Sequence, residues 1–195
     1  MTDPVLSTTL RDPALMRALA HPARIEILSH LQTGGPATAT ECAEIVGLSP
    51  SATSYHLRAL AKVGLVTEAP GRGDGRERLW SSPVTSYQIA ADQHVAADVR
   101  AAEDQLVDAF LLLDNERTRR FLAHRENEAP EWYAVATVNE SVIQVTAAEL
   151  GEIRDKVIEL LKPYRKGERA SVPDGTRTVS TTFRALPLPP RDVKE

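Results

Sequence analysis

The chain has 195 residues, of which 42% are hydrophobic and 26% are charged, and 23 Lys and Arg against 27 Asp and Glu give a net charge of -4. This balance is typical of a folded globular chain of one large or two small domains, and it excludes a miniprotein, wholesale disorder and a chain that coats nucleic acid by bulk charge. No apolar run is long enough for a membrane span or a signal peptide, so we expect a cytoplasmic protein.

Four short helices are predicted in the first third of the chain, each from its start and stop signals. Asp12-Pro13 begins the first, and His21-Pro22 separates it from a second that ends at Gly34-Gly35. Thr38 with Glu41 has the form of a capping box and opens a third helix, which ends at Gly47. Ser49-Pro50 begins a fourth, which ends at Gly64. The third and fourth helices are therefore joined by a tight turn.

A β-hairpin is predicted directly after the fourth helix. Residues 65–68 and 76–80 are short extended runs that flank a glycine-rich tip. Two helices joined by a tight turn and followed by a hairpin are the parts of a winged helix-turn-helix, in which the later helix enters the DNA major groove. We assign this DNA-binding domain to residues 12–89.

The polar side of the fourth helix predicts a surface that contacts DNA. Four polar residues lie within about a quarter turn of one another on one face: Ser51, Ser54, Tyr55 and Arg58. The opposite face carries Thr53, Leu57 and Leu60. The hairpin adds arginines suited to phosphate or a narrow minor groove, namely Arg72, Arg76 and Arg78. Residues 51–84 carry a net charge of +2, and the rest of the chain carries -6. A polar helix face by itself is more often only a solvated surface, and an arginine-bearing glycine loop by itself is more often only a mobile hairpin tip. The two features together, in the order of a winged helix, favour DNA binding.

One long amphipathic helix is predicted over residues 90–127, because residues 90 to 125 contain no Gly or Pro. Its apolar stripe consists of Val95, Val99, Ala102, Leu106, Phe110 and Leu113. We expect the small winged-helix core to be filled already, so this stripe predicts a homodimer interface. The alternative is that the helix packs on the C-terminal part of its own chain.

A small β-β-α-β unit is predicted over residues 131–188. Strands are expected at 132–138, 141–145 and 177–186, with a helix that begins at the capping box of Thr146 and Glu149. The predicted fold class is therefore α+β. Aromatic side chains in this unit are either core or the lining of an effector pocket: Trp132, Tyr133, Tyr164 and Phe183.

Three blocks of sequence resemble the arsenical-resistance-repressor (ArsR) family. They are residues 18–28, residues 49–60, and Gly64 to Val66, so the resemblance covers roughly residues 14 to 85. It implies a homodimeric winged-helix transcription factor, usually a repressor released by an effector. It also implies that Ser51, Ser54, Tyr55 and His56 lie on the recognition helix, flanked by the wing from Arg72 to Arg78.

The metal-binding patterns of that family are not matched, and we expect no metal or cofactor. The positions of a Cys-x-Cys pair are occupied by Thr38 and Thr40, whose hydroxyls are poor ligands for soft metals. Asp92 and His94 match the first half of a second pattern, but the two histidines of its second half are replaced by Gln105 and Asp108. The alternative to no metal is a hard-metal site formed by Asp92, His94 and Asp108 across a dimer. The single cysteine, Cys42, excludes a disulfide within the chain and is expected in the core rather than as a redox sensor.

We therefore predict a homodimeric regulator that binds an inverted repeat in double-stranded DNA, more specifically a repressor relieved by a small-molecule effector. An enzyme is disfavoured, because the glycines at 71–75 lack the Lys-Ser/Thr of a phosphate-binding loop and the five histidines are scattered. A winged helix used only for protein interaction remains the alternative. Salt-sensitive binding to duplex DNA distinguishes the two.

Overall fold

The computed structural model of the chain describes residues 6–73, 77–89, 95–165, 169 and 171–188. It confirms the α+β class. The strands are β1 (Leu6–Leu10), β2 (Ala37–Thr38), β3 (Thr67–Ala69), β4 (Leu79–Ser81) and β5 (Val84–Ile89). The helices are α1 (Pro13–Leu19), α2 (Pro22–Gly34), α3 (Ala39–Val46), α4 (Pro50–Lys62), α5 (Ala97–Ala123), α6 (Pro130–Val135) and α7 (Ala147–Leu161). Short 3-10 turns follow α5 and α7.

The first four helices begin where the capping signals predicted them. The Asp12 carboxylate accepts from the Ala14 N–H at 2.7 Å, and the Ser49 hydroxyl accepts from the Ala52 N–H at 3.2 Å. The Thr38 side chain and its capping-box partner satisfy each other's backbone N–H groups. Gly47 ends α3 with a φ of 65°, a left-handed conformation that glycine adopts without steric cost. These helix boundaries are fixed by local hydrogen bonds.

The wing is a small antiparallel sheet in the order β2-β4-β3, which confirms the predicted hairpin. A second sheet, which was not predicted, pairs β1 with β5 in parallel. Parallel strands need a long crossover, and here the whole helix-turn-helix forms it. Strand β1 therefore closes the domain by joining the segment before α1 to the segment after the wing.

The hydrophobic core lies between α1, α2, α4 and α5. Its fully buried side chains come from both ends of the domain, and they include Leu10, Met16, Leu19, Ile25, Ile27, Leu28, Leu31, Leu57, Leu60, Leu65, Leu106 and Leu113. A fully buried aliphatic side chain contributes roughly 1.5 to 3 kcal/mol. This core holds α4 at the surface with only one face buried.

The expectation that the winged-helix core is already filled, and so offers no partner to the stripe on α5, is wrong for three of the six stripe residues. Ala102, Leu106 and Leu113 are buried in the core of the same chain, where α5 packs against α1 and α2. Phe110 is half-buried and stacks on Tyr87 of β5 with ring centroids 5.7 Å apart. Val95 and Val99 are half-buried. The sequence argument failed because it omitted α1 and β5 as partners for α5.

The C-terminal part contains the predicted helix but not the predicted strands. Helix α7 begins at the capping box of Thr146 and Glu149, as expected. The segment predicted as the strand 132–138 begins instead inside α6, and 141–145 and 177–186 have no regular structure. Within the described residues after 123, no β-strand is formed and no side chain is fully buried. A strand needs a hydrogen-bonded neighbour, and these segments pair with none of the described residues.

No helix in the described part of the chain is both long and apolar enough to cross a membrane.

Candidate nucleic-acid interface

Helix α4 presents one face to the core and the other to solvent. Its inner face carries Thr53, His56, Leu57 and Leu60, at the i, i+3, i+4, i+7 spacing of a helix packed on one side. On the outer face Tyr55 keeps 60% of its surface exposed, although the Arg24 guanidinium lies 6.0 Å from the centroid of its ring. Among the described residues, none that follows Trp80 lines the cleft beside this face. The helix is therefore open to a partner along its outer side.

Three of the side chains predicted to contact DNA lie on that outer face. Ser51, Tyr55 and Arg58 are exposed, and Ser54 is half-buried beside them. Arg58 makes no ion pair with any described residue, so its guanidinium is available to a phosphate or a base edge. Small serine side chains allow the helix to approach the groove closely.

His56 does not belong to this surface, so its place among the predicted DNA-contacting residues is wrong. It is 9% exposed, and its Nδ1 atom accepts a hydrogen bond from the Arg24 Nε–H at 3.2 Å. Arg24 also donates from Nη1 to the Ala18 carbonyl at 2.7 Å. The histidine thus ties α4 to α2, and through Arg24 to the end of α1. Arg24 is a positioning residue that sequence reasoning missed.

Two histidines meet at this junction. The ring centroids of His21 and His56 lie 4.6 Å apart. The His21 Nδ1 atom accepts a hydrogen bond from the Ala23 N–H at the start of α2. Burial lowers the pKa of His56, and the neighbouring His21 and Arg24 lower it further. Burial, and then the charge of Arg24, lowers the pKa of His21 as well. The hydrogen-bond geometry agrees with this direction, because each Nδ1 atom accepts from a neighbouring N–H and a proton on it would face that donor.

The wing arginines are held by partners within the domain. Arg72 donates to the Glu41 carboxylate at 2.6 Å and to the Pro36 carbonyl at 2.8 Å. Arg78 lies 3.3 Å from the Glu68 carboxylate and over the ring of Trp80. All four charged side chains are partly exposed, so DNA phosphates can compete for the arginines. Arg76 lies outside the described residues.

Glu41 links the wing to the start of α3. Its carboxylate accepts from the Thr38 backbone N–H at 2.7 Å and from Arg72. The hydrogen bond from Thr38, followed by the one from Arg72, lowers the pKa of Glu41 to about 2. The carboxylate therefore stays charged throughout the physiological range, and it fixes the base of the wing relative to α3.

A cleft of about 260 Å³ lies between the start of α3, the outer side of α4 and the wing. It is lined by Thr38, Ala39, Thr40, Ser54, Arg58, Glu77, Arg78 and Trp80. The structure thus brings together Ser54, Arg58 and Arg78, which sequence analysis had placed on two separate elements. Thr40, exposed in the first turn of α3, is an additional polar residue of this surface that was missed. Its position in the first turn, two residues after the capping Thr38, was the available signal.

The residues that the sequence offered as potential metal ligands either have another role in the structure or lie outside the described residues. The Thr38 hydroxyl is engaged in the cap of α3, and Asp92 and His94 lie outside the described residues. Cys42 is buried, and burial raises the pKa of its thiol to about 11, as expected of a core cysteine. Within the described ranges, no three His, Cys, Asp or Glu side chains are grouped as a metal site.

Comparison with known proteins finds a helix-turn-helix in the segment that carries this surface. Residues 19–69 match a protein family described as a helix-turn-helix domain. The match spans α2, α3, α4 and the first strand of the wing hairpin. Together with the fold, it supports a DNA-binding regulator of the winged helix-turn-helix type. No curated protein matches the chain.

Several solved structures resemble the chain at low identity. A transcriptional regulator from Thermotoga maritima is 14% identical over 72% of this chain and 73% of its own, with a TM-score of 0.31. The YusO protein from Bacillus subtilis is 14% identical over 76% and 82%, with a TM-score of 0.32. Wild-type MarR from E. coli is 16% identical over 77% and 88%, with a TM-score of 0.31. Because these whole-chain similarities are weak, the assignment depends on the helix-turn-helix match and the geometry of α4.

Proposed function

We propose that this chain is a homodimeric transcriptional repressor that binds an inverted-repeat operator and is released by a small-molecule effector. The observation that supports this function best is the outer face of α4. This face carries Ser51, Tyr55 and Arg58 exposed beside an arginine-bearing wing, on a helix whose inner face is anchored in the core. The resemblance of the same segment to the ArsR family supports the repressor role and the dimer.

Base recognition is assigned to α4, and backbone contact to the wing. Tyr55, Arg58 and the serines at 51 and 54 enter the major groove, where arginine can donate two hydrogen bonds to guanine. Arg72, Arg76 and Arg78 contact phosphates or the adjacent minor groove. To bind a phosphate, Arg72 and Arg78 must give up their ion pairs with carboxylates of the same domain. Binding of the arginines to DNA phosphates is favoured at low ionic strength.

The dimer interface is proposed on the part of α5 that its own chain leaves uncovered. Val107, Leu111 and Leu112 are 39%, 42% and 50% exposed, next to the half-buried Val99 and Phe110 of the predicted stripe. Binding to an inverted repeat requires that this dimer hold its two α4 helices about 34 Å apart, one turn of DNA. Leu111→Asp is expected to yield a monomer by light scattering, whereas Glu44→Gln, at an exposed residue of α3 outside the proposed interface, leaves the dimer intact. A dimeric Leu111→Asp variant would contradict this interface.

The central experiment selects genomic DNA fragments with the purified full-length protein at low salt and sequences those retained. The expected result is one enriched inverted repeat, bound more weakly as salt rises. Absence of binding to any fragment would instead favour the protein-interaction module.

Variants on the selected operator test the assignment of residues. Arg58→Ala or Tyr55→Ala is expected to weaken binding by about 1 to 3 kcal/mol and to relax the base preference at one position of each half-site. Arg72→Ala is expected to weaken all sequences alike and to lower the slope of log affinity against log salt by about one. Arg119→Ala on α5 serves as the control, because this exposed arginine lies outside the proposed surface. A triple alanine variant of Ser54, Tyr55 and Arg58 with unchanged affinity would refute the assigned face.

A further inference from the structure

A second cleft, of about 520 Å³, lies far along the chain from α4, between α5, α6 and residues 177–180. Its volume is within the range of about 300 to 1,000 Å³ that is typical of sites for small organic molecules. The sequence prediction of an effector pocket named four aromatic residues, and the structure brings two of them here, Trp132 and Tyr133. Tyr164 and Phe183 are not part of its lining.

The walls of the cleft are aromatic and apolar. Phe121 of α5 and Tyr133 of α6 stack with their ring centroids 6.2 Å apart and their planes 15° from parallel. Trp132 forms a further wall, with the guanidinium of Arg177 lying 5.0 Å from its ring centroid. Tyr133 remains 50% exposed, so aromatic surface faces the open cleft. A flat apolar ligand would remove that surface from water.

The charges of the lining leave one cation without an acidic partner. The Glu128 carboxylate accepts two hydrogen bonds from Arg177, at 2.6 and 3.1 Å. The Asp114 carboxylate accepts from Arg184 at 3.2 Å and from the Thr182 hydroxyl at 2.8 Å. Each carboxylate of the lining therefore has its own arginine.

Arg117 differs from these two arginines. It is half-buried, and its Nη1 atom donates to the hydroxyl of Ser180 at 3.2 Å. It makes no ion pair with any described residue. A guanidinium held this way, with donors still available, fits a carboxylate in a bidentate arrangement.

We propose that this cleft binds a small planar aromatic carboxylic acid, with the ring against the aromatic walls and the carboxylate on Arg117. As the effector site, it rests on the proposed function, because the regulatory role presupposes operator binding. The connection to the DNA-binding domain is α5 itself, since Leu113 lies in the core and Arg120 lies 3.8 Å from Glu26 of α2. A ligand on Arg117 thus acts on the helix that packs against the helix-turn-helix.

Calorimetric titration of the DNA-free, full-length protein with 1-naphthoate and with 1-naphthamide tests the site. The two probes have nearly the same shape, but only the first carries a charge. We expect naphthoate to bind about 10 to 100 times more tightly, as a charge-assisted hydrogen bond predicts. Equal affinities, or no heat of binding with either probe, would overturn the proposal.

Two variants on α5 localise the effect. Arg117→Gln is expected to lose the preference for naphthoate and to leave naphthamide binding within about twofold, because the apolar walls are intact. Arg119→Gln, an exposed residue on the other side of the same helix, is expected to behave as the native chain. If Arg117→Gln keeps the native preference, the carboxylate is bound elsewhere and the proposal fails.

Operator binding is measured separately on the same preparations, so that the two proposals fail independently. A protein that prefers naphthoate but binds no DNA would refute the repressor function and support the site. A protein that binds its operator and does not distinguish the probes would refute only the site.

Discussion

The N-terminal domain and the C-terminal part use the same local signals but differ in burial. Helices α3 and α7 both begin with a Thr and Glu capping box in which each side chain satisfies the other's backbone N–H. In the first region, α3 packs on α2 and α4 and carries two buried residues, whereas α7 has no fully buried residue at all. The comparison shows that capping defines where a helix begins, while tertiary contacts determine how much it stabilises the protein.

The largest effect that follows from this difference concerns leucines. Leu106 in α5 is fully buried and Leu160 in α7 is 69% exposed. Leu106→Ala is expected to lower the free energy of unfolding by about 2 to 5 kcal/mol, because it opens a cavity in the core. Leu160→Ala is expected to change it by less than about 0.5 kcal/mol in urea unfolding. Equal losses of unfolding free energy in the two variants would mean that another molecule buries α7, and would contradict the difference in burial between the two regions.

Arginine hydrogen bonds give the next contrast. Arg24 in the first region and Arg177 in the second each donate two hydrogen bonds. Arg24→Met is expected to cost about 1 to 3 kcal/mol, because it leaves the part-buried Ala18 carbonyl and His56 ring without their donor. Arg177→Met is expected to leave the midpoint of urea unfolding unchanged, since water replaces its bonds. A shifted midpoint for Arg177→Met would show that the C-terminal part unfolds together with the domain.

The matched capping boxes sharpen the comparison further. Thr38→Ala is expected to lower the free energy of unfolding by about 1 kcal/mol. Thr146→Ala is expected to reduce the helical signal in circular dichroism and to leave the cooperative unfolding midpoint where it was. Ser141→Ala serves as a control for the second variant, because it removes a hydroxyl outside α7. If Thr146→Ala lowers the midpoint as much as Thr38→Ala, α7 belongs to the same cooperative unit.

The smallest effect is a pH dependence confined to the first region. The pKa values of His21 and His56 are lowered in the folded state, first by burial, so the unfolded chain binds protons more readily. Stability from these groups is therefore complete above pH 6.5, their ordinary pKa, and is lost as the pH falls below it. Denaturant titrations between pH 8 and pH 5 are expected to show this loss in the native protein and a smaller one in His56→Gln. An identical loss in both would contradict the role of His56.

Sequence reasoning succeeded where the determining interactions are local. The starts of α1, α3, α4 and α7 follow from a capping side chain within three residues. The wing hairpin was also predicted, because its two strands are close in sequence. Most failures are non-local: β1 pairs with a strand more than 70 residues away, and the expected strands at 141–145 and 177–186 form no pairs among the described residues. The exception is the strand expected at 132–138, which begins inside α6, a short helix with Pro130 at its first position.

The same division applies to the residues of the candidate site. Helical periodicity placed Ser51, Tyr55 and Arg58 on one exposed face, and the structure agrees with that exposure. His56 was misassigned because it was taken from the resemblance, although its spacing from Thr53, Leu57 and Leu60 already indicated the inner face. The ion pair of Arg72 with Glu41 joins residues 31 positions apart, and no sequence pattern predicts it.

The attachment of α4 through His56 and Arg24 has a consequence for how binding preference can change. The hydrogen bonds that secure this helix are made by His56 and Arg24, whereas the serines at 51 and 54 and Arg58 belong to its outer side, so these three can be altered separately. Tyr55 contacts both anchoring residues and is therefore not independent of them. Exchanging the residues at positions 51, 54 and 58 is expected to redirect the protein to new target sequences without compromising its folding. Such a scaffold is suited to directed evolution, with Arg24, Tyr55 and the inner four positions held constant.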